Sequence, residues 1–143
     1  MRKISKEAKR VLDILTSGLD SENAYRKVDT SKSFTAVSID FLGQSKLGTF
    51  FSVAHNSIQN GDVMADPDME FLKATDGNYY PIRYQNDFLP GFLGHSKALN
   101  IEGGKITSYY PKVLRDLCSF TTKWMRNITQ QQDLDTITAA KAA

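Results

Sequence analysis

Disulfides are excluded at the outset. The chain has one cysteine, Cys118, in 143 residues, so it can form neither an intramolecular bridge nor a cysteine-rich zinc site. Long apolar runs are missing as well. No stretch approaches the roughly 20 residues that cross a bilayer. No apolar run of about 7–15 residues follows the basic opening MRKISKEAKR, so no secretory leader is expected there. Charge of one sign is scarce: 18 basic against 16 acidic side chains leave +2, with an isoelectric point near 8.6. A dedicated nucleic-acid binder would be expected to show a basic stripe and a value above about 9. Familiar catalytic signatures are absent too. There is no Walker A loop, G-x-G-x-x-G, H-E-x-x-H or Cys/His zinc spacing, and no G-x-S-x-G elbow to organise Ser96 and His95.

What is present is an ordinary globular composition, 41% hydrophobic and 24% charged, enough for one hydrophobic core. Residues 1–132 read as a single domain and 133–143, ending in AAKAA, as a tail that frays. The expectation is a soluble, cytoplasmic protein with no cofactor and no membrane partner.

Ile4, Ala8, Val11, Leu12, Leu15 and Leu19 recur at helical spacing and predict a helix over about 4–17, with Gly18 as its stop. The polar stretch 20–32 reads as loop or a short helical turn. SFTAVSIDFLG and LGTFFSVAHNS each alternate with period two and predict two strands joined through GQSK at 43–46. A third strand is expected within 62–74, bulged or divided at Pro67, which cannot donate to a ladder. Asp76-Gly77 predicts a turn into NYYPIRYQN, in which Tyr80, Ile82 and Tyr84 would share one face and Tyr79, Pro81 and Arg83 the other. Residues 87–105 contain a proline, four glycines and no period, which reads as a long loop. Its large apolar side chains, Phe88, Leu89, Phe92 and Leu93, either settle on the domain or mark a binding surface. A second helix is expected over about 110–130, with Pro111 in its first turn and Cys118 as a buried small hydrophobe. The predicted fold class is α+β: a four-stranded antiparallel meander with an N-terminal and a C-terminal helix.

The densest chemistry lies in FFSVAHNSIQNGDVMADPDMEFL, from Phe50 to Leu72. Asn60-Gly61 predicts a chain reversal. Asp62, Asp66, Asp68 and Glu70 follow it closely, without the alternating spacing of an EF-hand loop. On a strand, Asp66, Asp68 and Glu70 would share a face. They are read as a solvated edge that discourages strand pairing, as a cation site, or as an acidic patch for a basic partner. His55 has the parity of Phe51 and Val53 and reads as a hydrogen-bonded structural residue, with Asp62 across the hairpin as a partner, or as a general acid–base. Tyr79, Tyr80, Arg83 and Tyr84 read as sheet core or protein interface, or as a platform that stacks unpaired bases.

VAHNSIQNGDVMADPDMEF, followed by YYPIRYQNDFLPGF, resembles a small uncharacterised domain family encoded by phages, plasmids and other mobile elements. The matching positions are His55, Gln59, Asn60, Gly61, Asp62, Met64, Ala65, Asp66, Pro67, Met69, Pro81, Tyr84, Asn86 and Asp87. The family often has an aromatic pair after its histidine, where this chain has Asn56-Ser57. The resemblance implies a bacterial or phage setting and an accessory or counter-defence role, but no established activity.

No catalytic residue is assigned. The candidate binding residues are His55, Asn60, Asp62, Asp66, Asp68, Glu70, Arg83, Tyr84, Asn86 and Asp87. The expected function is non-enzymatic binding of a host or phage protein complex through the 59–70 hairpin and the 87–105 loop. The alternatives are a metal-assisted enzyme using His55, Asp62, Asp66 and Asp68, and a single-stranded nucleic-acid module.

Overall fold

The computed structural model describes residues 1–31 and 33–134. Helix α1 (Lys6–Thr16) is followed by strands β1 (Tyr25–Val28), β2 (Val37–Ser45), β3 (Gly48–Gln59), β4 (Asp62–Ala74) and β5 (Tyr79–Gln85). A 3-10 turn at Gly91–Gly94, strands β6 (His95–Lys97), β7 (Leu99–Glu102) and β8 (Lys105–Tyr109), and helix α2 (Pro111–Gln132) complete the chain. The class is α+β with a helix at each end, but the main antiparallel sheet has six strands in the order β1-β2-β3-β4-β5-β6, not four.

The two additional strands lie where no period was visible. β1, inside a stretch expected to be loop, is a four-residue edge strand. β6 and β7 lie within the region expected to be one long loop, and β8, which pairs with β7 as a separate hairpin, begins at its end. Strands of three to five residues are too short for alternation to emerge, and a paired neighbour supplies what propensity does not. The β2–β3 turn falls at Lys46-Leu47, overlapping the end of the expected GQSK segment at Lys46.

α1 starts where the Ser5 side chain accepts the Ala8 N–H, which satisfies one of the donors left open in the first turn. Its apolar stripe of Ala8, Val11, Leu12 and Leu15 is buried. α2 opens on Pro111, where a missing N–H costs least, and closes on Asp133 in the left-handed conformation (φ 53°). Of the tail expected to fray, Leu134 is buried in the core, and residues 135–143 lie outside the described residues. The helices meet through an Arg126–Glu7 fork at 2.6 and 2.8 Å and a Ser5–Thr122 hydroxyl contact at 2.9 Å.

Both helices cover the same sheet face. Val37, Ile39, Phe51, Val53, Met69 and Phe71 line it and are buried with the helix stripes. β3 and β4 lie very close at their far end. A Cβ on Gly48 (φ 142°) would sit 2.0 Å from the Lys73 carbonyl oxygen, so only glycine fits there.

Candidate functional site

The Asn60-Gly61 turn reverses the chain as expected. Both residues have positive φ, 53° and 87°, the backbone of a primed two-residue hairpin. The arm it closes projects past its neighbours: β2 reaches only to Val37 opposite His55, and β5 ends at Gln85 opposite Asp68. Near the tip, Ile58 pairs with Val63, and these apolar side chains are 72% and 69% exposed. Asn60 and Asp62 are exposed at the same tip.

At the base of the arm the β3–β4 ladder is interrupted. Ala54 faces Asp68 and Asn56 faces Ala65, so His55 on one strand stands against Asp66 and Pro67 on the other. The Asp66–Pro67 peptide is cis. The strand is bulged, not divided.

The segment after β5 is tied to this bulge. The Asp87 N–H donates to the Ala65 carbonyl at 2.8 Å, and the Ala65 N–H donates to the Asp87 carboxylate at 2.7 Å. Gln85 donates to the other carboxylate oxygen at 2.8 Å. These bonds from Gln85 and Ala65, aided by His95, hold the Asp87 carboxyl below its usual range. Asn86 folds the next turn: its N–H donates to the Gly94 carbonyl, and its side-chain oxygen accepts the Phe88 N–H at 3.0 Å. A long contact of 3.5 Å runs from the Asn86 amide to Asp66. Phe88, Leu89 and Leu93 emerge exposed from this loop; the side chain of Phe92 lies outside the described residues.

The remaining acidic candidates lie on the sheet face turned away from the helices. Strand pairing sets two rows across it: Tyr25, Asp40, Ser52, Glu70, Arg83, Lys97 and, beside it, Lys27, Ser38, Ala54, Asp68, Gln85, His95. Asp68 is half-buried, and its carboxyl is pushed above the usual range by desolvation first, then by Glu70, Asp40 and Asp87. Arg83 offsets this only weakly, at 3.9 Å from Glu70. No group of three or more His, Cys, Asp or Glu among the described residues is arranged to hold a metal ion.

Neither does His55 bond to Asp62. Its ring packs edge-on against Trp124 of α2, with centroids 5.6 Å apart, because the bulge turns it under the helix while Asp62 pairs with Gln59 at the tip. Burial holds the imidazole below its ordinary value, with Asp66 acting in the opposite direction. Trp124 continues to Phe120 and Phe120 to Tyr84, at 5.8 and 5.4 Å.

A model for a domain of unknown function, DUF6908, matches residues 6–134. The chain belongs to this family. Neither a curated protein nor a solved structure matches it.

In this DUF6908 chain the tyrosines do not form an open platform. Tyr84 lies against α2, and Tyr79 is buried, with its hydroxyl 3.0 Å from Thr16 and donating to Asp13 at 2.8 Å. The expected parity fails because a bulge between Glu70 and Phe71 shifts the register within β5 and brings both rings to the helix side. The Asp13 network was not read from sequence. Burial raises the Asp13 carboxyl, but hydrogen bonds from Lys9, Tyr79 and Lys73 outweigh it and leave it lowered. An aspartate and a threonine three residues apart on α1 carry no signal until the sheet places Tyr79 between them. Cys118 is buried and its thiol is pushed up to about 11, far from a reactive thiolate. Among the described residues no helix is long and apolar enough to cross a membrane.

Proposed function

We propose that this DUF6908 protein is a non-enzymatic binding protein that engages a protein partner through the end of the molecule formed by the β3–β4 arm and the 86–94 loop. The observation that carries this reading is the paired bond between Asp87 and Ala65, which fastens the two segments to each other. Exposed apolar side chains stand on both sides of that fastening: Ile58 and Val63 on the arm, Phe88, Leu89 and Leu93 on the loop. Grouped apolar exposure of this kind marks interaction surfaces. Asp62 and Asp66, exposed on the same arm, favour a partner surface that is apolar with a basic rim.

The resemblance of the 53–93 segment to a family encoded by phages, plasmids and other mobile elements supports reading the protein as an accessory protein of that kind, and we extend that reading to a counter-defence role against a host complex. On the sheet face turned away from the helices, Asp40, Asp68 and Glu70 stand near the middle with Lys27, Arg83 and Lys97 toward the edges, so that face is mixed in charge and the partner surface is assigned to the arm and the loop.

Capture from host lysate by the intact chain, compared with an Ile58→Thr/Val63→Thr variant, tests the reading. Both positions are well exposed, so the variant should keep its melting temperature. Loss of a specific captured protein with folding unchanged supports the surface; identical capture by both forms overturns it.

A further inference from the structure

His55 and Trp124 share more than a ring contact. They are walls of a cavity of about 300 Å³ between β3, β4, the segment before β2 and the far half of α2, completed by Ser33, Phe34, Thr35, Pro67, Asn127 and Gln131. Among the described residues, three buried side-chain polar atoms lack a hydrogen-bond partner: His55 Nε2, Trp124 Nε1 and Ser57 Oγ. Two of the three belong to cavity walls, and Ser57 lies two residues beyond His55 on the same strand. Buried polar atoms are nearly always satisfied, and an unsatisfied one signals an absent partner or a function.

We propose that this cavity binds a flat, uncharged ring with a hydrogen-bonding edge, of the nucleobase class. The residue types decide the chemistry. An indole N–H only donates, so the occupant must present an acceptor. The amides of Asn127 and Gln131, one helical turn apart on α2, offer both donors and acceptors. Phe34, Pro67 and Trp124 supply flat apolar surface for a ring to lie against. None of the described lining residues is Asp, Glu, Lys or Arg, so neither an anion nor a cation is matched. The volume is at the lower end for ligand pockets, about 300–1,000 Å³, and suits a single ring system. His55 Nε2 and Trp124 Nε1 have almost no accessible surface, so the base seats with a small shift of the imidazole and indole against it.

This goes beyond the protein-binding surface and is tested separately from it. The chain has one tryptophan, so its indole N–H gives a single resonance in a ¹H–¹⁵N spectrum. The full-length protein is titrated with adenosine, guanosine, cytidine and uridine, with ribose as the control. At least one nucleoside should move the indole signal and the side-chain amide signals of Asn127 and Gln131 saturably, below about 1 mM. Asn127→Ala/Gln131→Ala changes one exposed and one half-buried helix position to a good helix former, and should weaken binding at least ~10-fold with melting nearly unchanged. Trp124→Phe keeps a flat ring and removes an N–H that has no partner in the free protein, so calorimetric titration should show weaker binding.

Nucleoside 5′-monophosphates and a short single strand form the remaining arms. Tighter binding of the strand identifies a base presented by nucleic acid, and equal binding identifies a free base. An indole signal that no nucleoside moves, or that ribose moves equally, means the buried atoms are served by water alone and overturns the proposal. Unchanged affinity in the double variant overturns it as well.

Discussion

Asp87 and Ala65 exchange two hydrogen bonds, backbone to backbone at 2.8 Å and backbone to carboxylate at 2.7 Å. Twenty-two residues apart, they continue by side chain a ladder that β5 stops short of completing. One carboxylate thereby does the work of an added strand at the base of the arm.

Asp87→Asn should loosen that attachment without dissolving the sheet. Amide exchange at Ala65 and along 56–65 should quicken, while Val53, Met69 and Phe71 keep their protection. Because the folded-state carboxyl is lowered, its contribution is present above the unfolded value of 3.8 and is lost as pH falls through the lower folded value. Ala65 exchange followed down that range should show the loss in the native chain and not in the variant.

Asp68→Asn should stabilise the protein at neutral pH, because the native carboxylate is disfavoured by burial and by Glu70, Asp40 and Asp87. A rise in melting temperature of about 2–4 °C is expected. The advantage disappears in acid. With its folded value raised, the native Asp68 lowers stability as pH climbs from 3.8 through that value, a dependence the amide lacks. A lower melting temperature for the variant at neutral pH would contradict this account.

His55 should make the fold sensitive to mild acid. Burial lowers its folded-state value below 6.5, so between the two values the unfolded chain binds more protons and stability falls as pH drops. The decline begins near 6.5 and levels off below the folded value. Thermal melts across that interval should show a slope in the native chain that His55→Gln reduces.

Tyr79→Phe removes the hydroxyl that joins Thr16 and Asp13 and leaves the buried ring in place. A loss of about 1–2 kcal/mol is expected in denaturant titration. A change below ~0.5 kcal/mol would show that Thr16 and Asp13 find other partners.

Long periodic segments were legible from sequence, and so was the Asn60-Gly61 turn, because each signals through its own residues. Pro111 and the stripe from Val113 to Ile128 define α2 with no tertiary help. β1 and β6 were invisible for the opposite reason: their pairing partners, not their residues, make them strands. The tyrosine parity failed at a bulge beside Pro81, a residue whose missing N–H is compatible with a bulge but does not fix where the register shifts. In the candidate site, sequence named His55, Asp66 and Asp87 but not their partners. His55 meets Trp124, sixty-nine residues away, and Asp87 meets a main-chain group, which carries no sequence mark.

Strand order in the main sheet repeats chain order from β1 to β6. Each ladder therefore closes a short segment, and the sheet can zip outward from any hairpin at little entropic cost. The two helices must find each other across nearly the whole polypeptide, through Glu7 with Arg126 and Ser5 with Thr122. Their meeting is expected to be the late event in assembly: loosening that seam should speed unfolding while leaving the rate of refolding nearly unchanged.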